Sequence, residues 1–280
     1  MALTTLSELL EWGVESLKGN SPSSRLDAEL LLCEAAGVSK LALITSGSEP
    51  VSEEAQSRFR GFIDRRISRE PVAYIRGIKE FWGLEFEVNK AVLIPRPETE
   101  LIIERSINFV DACATDLKIL DLGTGSGCIA VALAYELKKR GRKFSVCAVD
   151  CYEAALEVAA RNAKKHDVGA YVMFQQSNWF ESLEGQRFDL ILANPPYVAL
   201  EDQDLSPELY FEPRTALFAG ARGTEDVEHL LKIVPQHLTK AGAFLCEIGA
   251  NQRARIKVPQ RGRVVYHKDL AGIDRVLEYR

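Results

Sequence analysis

Four short stretches carry groups whose type and spacing can do chemistry. Asp121-Leu122-Gly123-Thr124-Gly125-Ser126-Gly127 is a glycine-rich loop with an acid at its entrance. Its glycines let the backbone turn tightly and approach a ligand with no Cβ in the way. A dinucleotide site spaces glycines as G-x-G-x-x-G, but the sixth position here is Cys128, so the loop suits a ligand without a pyrophosphate. Asp150 ends the apolar run Cys-Ala-Val-Asp. A carboxylate there accepts two hydrogen bonds from a ribose diol or caps the helix that follows. Trp179, in Gln-Gln-Ser-Asn-Trp-Phe, offers a flat face to an adenine or to the core. Finally, "FDLILAN" runs into Asn194-Pro195-Pro196-Tyr197. Two prolines fix two φ angles, remove two N–H groups and hold the preceding residues extended. The result is a stiff corner presenting an amide, bare carbonyls and an aromatic ring. The plain alternative is a strand-ending turn.

The surrounding pattern supplies elements to position these groups. From about residue 117 strand-like and helix-like segments alternate: "KILDLG", "CIAVALAYELKK", "FSVCAVD", "EAALEVAARNAKKH", "AYVMFQQS", "FDLILAN", "VEHLLKIVPQHL", "GAFLCEIG". That alternation predicts an α/β fold with a mostly parallel, twisted sheet and helices on both faces. In such sheets ligands bind beyond the carboxyl ends of the strands, where all four stretches fall. Before this lies a helical region. Leu6, Leu9, Leu10, Val14 and Leu17 share one helical face, Ser and Asp in "SPSSRLDAELLLCEAAG" have capping spacing, and Gly37 stops that helix. A third helix ends before Pro71 and carries Arg58, Arg60, Arg65, Arg66 and Arg69, either a solvated face or a docking surface for an acidic or nucleic-acid-associated partner. The expected organisation is a helical N-terminal domain over residues 1–71, a β-hairpin linker over 72–94 and an α/β domain over 95–280.

Composition narrows the class. The 280 residues are 46% hydrophobic and 27% charged, with a net charge of −5, which lacks the basic signature of a protein gripping long nucleic acid. No secretory or transit signal and no apolar run of membrane-spanning length stand in the sequence, so no membrane partner is expected. Six scattered cysteines, without a C-x-x-C pair, read as reduced thiols in a cytoplasmic protein with no metal site.

Four consecutive strands ending in a Gly-rich loop, an acid, an aromatic and Asn-Pro-Pro-Tyr resemble the Rossmann-like S-adenosyl-L-methionine-dependent methyltransferases, in the branch acting on a nitrogen bound to an sp² carbon. Residues 69–100, "REPVAYIRGIKEFWGLEFEVNKAVLIPRPETE", resemble the linker of the peptide chain release factor N(5)-glutamine methyltransferases, the PrmC/HemK family. Related ribosomal-protein glutamine methyltransferases lack the Pro-Glu-Thr-Glu that stands complete at Pro97 to Glu100. "FEPRTALFAGARGTEDVEHLL" and "KDLAGIDRVLEYR" resemble the same family.

The resemblance implies methylation of the glutamine nitrogen in the Gly-Gly-Gln sequence of class-1 release factors, docked by the helical domain. It implies S-adenosyl-L-methionine held by Asp121, Gly123, Thr124, Gly125, Ser126, Gly127, Asp150, Trp179 and Asn194, and glutamine held by Asn194, Pro195, Pro196 and Tyr197. An amide nitrogen is a poor nucleophile because its lone pair is delocalised. The Asn194 side-chain oxygen and the Pro195 carbonyl, each accepting one N–H, would aim it at the methyl group, while the Tyr197 ring faces the cation. The alternatives are an adenine amino-group methyltransferase on DNA or RNA, or one acting on a ribosomal-protein glutamine. The acidic composition and the Pro-Glu-Thr-Glu stretch weigh against them, and no direct stable nucleic acid binding is expected. Two departures stand out: Asn178 where many relatives have Asp, and "RARIKVPQRG", which leaves the last helix very short or absent.

Overall fold

The computed structural model describes residues 4–113, 116–202 and 205–280. Two compact units emerge: one holds the chain up to Ile78 with Ser206–Phe211, the other Lys79–Leu205 with Glu212–Arg280. No helix among the described residues is long and apolar enough to cross a membrane.

The first unit has five helices rather than three: α1 (Leu6–Leu17), α2 (Ser24–Ala36), α3 (Lys40–Thr45), α4 (Glu53–Ile67) and α5 (Val72–Arg76). Thr5 and Glu8 close a capping box on α1, and Gly37 ends α2 at φ +67°. The Ser–Asp pair before α2 does something other than capping. Ser21 and Ser23 both donate to Asp27, whose buried carboxylate also accepts from Arg66 Nε at 2.7 Å. Arg66 in turn donates from Nη1 and Nη2 to Glu208, 3.0 Å each. Arg69 reaches the same Glu208, Arg65 pairs with Glu70, Arg58 donates to the Ala35 carbonyl and Arg60 lies over the Trp12 ring. All five arginines make contacts inside their own unit, but only Arg66 is buried and Arg69 partly so; Arg58, Arg60 and Arg65 remain on an exposed face. A buried guanidinium is tolerated only among acceptors, and these lie too far along the chain for local spacing to reveal.

Next in the chain, β1 (Ile78–Phe81) and β2 (Leu84–Glu87) form the hairpin, shorter than expected because residues 72–76 are helical. Trp82 and Gly83 turn it with φ of +54° and +69°, a type I′ pattern with an aromatic in the first place. The strained Trp82 is held by its own N–H on Glu100 and its indole N–H on Glu136. A 3₁₀ turn at Pro97–Thr99 leads into α6 (Glu100–Asp111).

The sheet follows: β3 (Leu117–Leu122), α7 (Cys128–Lys139), β4 (Phe144–Asp150), α8 (Glu153–Lys165), β5 (Val172–Gln176), β6 (Phe188–Ala193), α9 (Glu225–His237), β7 (Leu238–Glu247), β8 (Val264–Lys268) and β9 (Asp274–Tyr279). Its order is β5-β4-β3-β6-β7-β9-β8, parallel except at β9 and β8. Alternate residues of the central strands enter different cores. Ile119, Leu190 and Leu245 pack with α6 and α7, whereas Leu120, Ile191 and Phe244 pack with α9 and Phe180. Burial on both faces is why these strands read as continuous apolar runs. No helix occurs between β7 and β8 among the described residues, as the short "RARIKVPQRG" segment led us to expect.

Gly127 begins α7 at φ +79°, and a Cβ there would lie 3.0 Å from Ala159 Cβ and 3.1 Å from Ala159 Cα. Gly127→Ala combines backbone strain with overpacking between α7 and α8. Urea unfolding should show a loss of about 1–3 kcal/mol.

Candidate active site

Strand register brings the chemical groups into one row. Leu122 of β3 is aligned with Val149 of β4 and with Ala193 of β6; Asp150 is aligned with Gln176, and Ala193 with Cys246 of β7. The next residues, Gly123, Asn194 and Glu247, leave the same sheet edge side by side, with Asp150 and Ser177 beside them. The chain order also reverses between β3 and β6, the place where open α/β sheets form a ligand crevice. A cavity of about 270 Å³ lies there, walled by Gly123 to Ser126, Asp150, Trp179, Asn194 and Pro196, with Arg96, Thr99 and Asp226.

The loop is held from behind by its neighbours. Thr124 donates its N–H to Val149 O and its hydroxyl to Asp121 at 2.6 Å. Gly125 N–H donates to Asp150 Oδ2 at 2.9 Å, and Tyr152 N–H to Asp150 Oδ1 at 3.0 Å. Asp150 is thus a loop anchor rather than a cap of α8, whose N-cap is Tyr152. Each of its oxygens retains acceptor capacity toward the cavity. Asn162 of α8 is a second anchor: it donates to Ser126 O and Glu87 O and accepts from Glu87 N–H, joining the loop to the hairpin. Trp179 has φ +50°, a strained value for a bulky residue, and a methyl placed on Gly123 would lie 3.5 Å from its ring. The half-buried ring lies over the loop and packs on the second core, as the core reading expected. Asn178 also lines the cavity and donates to Glu181.

At the corner, Asn194 Nδ2 donates to Thr99 Oγ1 at 3.1 Å, and Thr99 Oγ1 donates to Glu247 at 2.6 Å. Asn194 Oδ1 is buried and has no hydrogen-bond partner. The rest of the corner is braced. Tyr197 N–H and Val198 N–H donate to Leu217 O, and Gln252 Nε2 donates to Tyr197 O and Gly223 O. Burial, with Glu247 nearby, pushes the Tyr197 phenol up to about 12, so it stays neutral. Arg96 is paired with the buried Glu212, which also accepts from Ile94 N–H.

Of the residues singled out from sequence, Gly123, Thr124, Gly125, Ser126, Asp150, Trp179, Asn194 and Pro196 form the wall. Asp121, Gly127, Pro195 and Tyr197 do not line it but adjoin lining residues in the chain, Asp121 being fully buried. Sequence reading passed over Thr99, Asn162, Glu212 and Glu247 as site residues. Glu247 carried a usable signal, an acid ending an apolar strand as Asp150 does.

The parallel sheet with this crevice defines a Rossmann-like methyltransferase. Residues 104–221 match the methyltransferase small domain model, and residues 8–77 match the PrmC N-terminal domain model. The catalytic domain of hMettl16, solved with a MAT2A 3′UTR hairpin, shares the fold at TM-score 0.53 and 16% identity over 77% of this chain and 81% of that one. The release factor glutamine methyltransferase of Pseudomonas aeruginosa is 40% identical over 98% of both chains. That of Xylella fastidiosa strain Temecula1 is 40% identical over 83% of both. The chain belongs to the release factor glutamine methyltransferase family.

Burial pushes the Asp121 carboxyl from 3.8 up to about 7, with Asp150 adding to the rise and the Thr124 hydroxyl and Ala130 N–H opposing it. A carboxyl whose folded pKa is raised contributes most stability below its unfolded pKa and loses that contribution as pH rises through the folded value. Asp121→Asn keeps an acceptor for Thr124 without the charge. Its stability relative to the parent protein should therefore increase from about pH 4 to about pH 7 and level off above, read from urea unfolding at several pH values.

Proposed function

We propose that the protein transfers a methyl group from S-adenosyl-L-methionine to the side-chain amide nitrogen of the glutamine in the Gly-Gly-Gln sequence of class-1 peptide chain release factors. The observation that carries this reading is the unpartnered Asn194 Oδ1 beside a glycine-rich loop at the sheet's switch point. A buried carbonyl oxygen without a donor is costly in a folded protein, and a substrate N–H satisfies it. The family to which the chain belongs and its 40% identity to release factor enzymes over nearly the whole length support the same substrate.

The residues present fit the cofactor. Gly123 and Gly125 have positive φ and no Cβ, so the loop backbone can approach a ligand closely. Ser126 also lines the cavity and adds a small hydroxyl to its wall. Asp150 would accept the ribose hydroxyls, Trp179 would cover the adenine, and Gly123 to Ser126 would cradle the remainder. When bound, the sulfonium supplies an electrophilic methyl group.

The chain's own residues then do positional work. Asn194 Oδ1 and the Pro195 carbonyl each accept one N–H of the glutamine amide, which orients the nitrogen and favours the positive charge growing on it. No general base is needed before transfer, because the proton becomes acidic only once the nitrogen is alkylated. Pro195 and Pro196 keep the acceptors stationary, and the neutral Tyr197 packs beside the flat amide. The helical unit, matching the PrmC N-terminal domain, docks the body of the release factor.

Asp150→Ala should weaken cofactor binding at least several-fold by calorimetry, losing the ribose acceptor and the Gly125 anchor together. Unchanged affinity in a folded variant would remove Asp150 from the binding site. Asn194→Ala should lower single-turnover methylation of release factor by about 10²–10³-fold, or about 3–4 kcal/mol, at saturating cofactor. Asn194→Asp keeps an acceptor and should retain more activity. A near-normal rate for Asn194→Ala would reduce the corner to a strand-ending turn.

A further inference from the structure

A primary amide has a donor end and an acceptor end of nearly identical shape. Asn194 serves the proposed reaction only with its oxygen toward the substrate. Nothing in the Asn-Pro-Pro-Tyr corner itself decides this. The decision lies in two buried residues from other elements: Thr99, at the start of α6, is 1% exposed and Glu247, at the end of β7, is also 1% exposed.

Thr99 occupies the N-cap position of α6, where a threonine hydroxyl normally accepts a backbone N–H, yet its side chain makes no capping bond. The hydroxyl is instead held between two side chains, donating to Glu247 Oε2 at 2.6 Å and accepting from Asn194 Nδ2 at 3.1 Å. A carboxylate is acceptor-only, so it takes the single hydroxyl proton of Thr99. Only lone pairs of Oγ1 then remain toward Asn194, and they accept an N–H but repel a carbonyl. The amide must point its nitrogen inward, and Oδ1 faces outward without a partner.

We propose that Glu247 and Thr99 are positioning residues for methyl transfer: through the ordered chain from carboxylate to hydroxyl to amide they fix Asn194 with its oxygen toward the substrate nitrogen. This rests on the reading above, in which that oxygen receives the glutamine N–H. Burial raises the Glu247 carboxyl to about 7, while the Thr99 hydroxyl opposes the rise, so above neutral pH it is an ionised acceptor. The relay also explains an expensive arrangement. A buried acid persists here because β7 delivers it beside Asn194, Ala193 and Cys246 being aligned partners in the sheet.

The test uses the full chain at pH 8.5. Thr99→Val preserves shape and removes the relay proton. It should lower the single-turnover rate on release factor about 10- to 100-fold while leaving the calorimetric Kd for S-adenosylhomocysteine within about twofold. Thr99→Ser restores the hydroxyl and should recover most of the rate. A second readout needs no substrate: the Asn194 side-chain amide protons, assigned by their loss in Asn194→Asp, should exchange with solvent about tenfold faster in Thr99→Val. If Thr99→Val does not fold, Thr99→Ala replaces it with the same expectations. A Thr99→Val rate within about twofold of the parent protein, equal losses for Thr99→Val and Thr99→Ser, or unchanged amide exchange would each overturn the relay. Parent protein inert toward release factor would instead overturn the functional reading and leave amide exchange to judge the relay.

Discussion

Everything at the site depends on the parallel register of β3, β6 and β7. Aligned Leu122, Ala193 and Cys246 make the following residues, Gly123, Asn194 and Glu247, emerge together from one sheet edge. A slip of one residue in β6 would turn Asn194 to the opposite face and bury it in a core. The register is protected because both faces of these strands are apolar and packed. Leu190 and Leu192 belong to one core and Ile191 and Ala193 to the other, so a slip would exchange side chains of different size and shape between two close-packed cores.

From that constraint follows a division of labour between wall and backing. The wall is largely backbone and small residues, which keep the cavity open to a ligand. The polar side chains that set its geometry stand partly in the wall, as Asp150 and Thr99 do, and partly behind it. Asp121 holds Thr124, Asp150 holds Gly125, Asn162 holds Ser126, and Glu247 acts through Thr99 on Asn194. Each is a hydrogen bond in a region of low dielectric, where a satisfied network is rigid and a broken one costly. Two of these groups, Asp121 and Glu247, are carboxyls raised to about 7 by burial. Stability is given up at both to hold the site in place, a common exchange at functional centres.

The helical unit shows the same logic on a different scale. Arg66 is buried between Asp27 and Glu208, and the segment Ser206–Phe211 belongs to this unit although it lies far along the chain. The arginines of the expected basic face also make ion pairs and a cation–π contact within the unit, while Arg58, Arg60 and Arg65 stay exposed.

Local chemistry was legible in the sequence. The apolar runs, the glycine loop, the acid at Asp150 and the paired prolines follow from backbone and burial rules acting over a few residues, and they suffice for the α/β architecture and the place of the crevice. Gly37 as a helix stop and the missing last helix belong to the same class. What only the tertiary structure decided involves partners distant in sequence. Ser23 and Asp27 look like a cap until Asp27 is seen to accept from both Ser23 and Arg66, and Asp150 looks like a cap until Gly125 is seen to donate to it. Thr99 reads as an ordinary helix start and Glu247 as an unremarked strand end. They acquire their roles because folding places them on either side of one hydroxyl proton, 148 positions apart in the chain. A hydrogen bond is specified by position in space, and position in space is what the sheet register, not the local sequence, supplies.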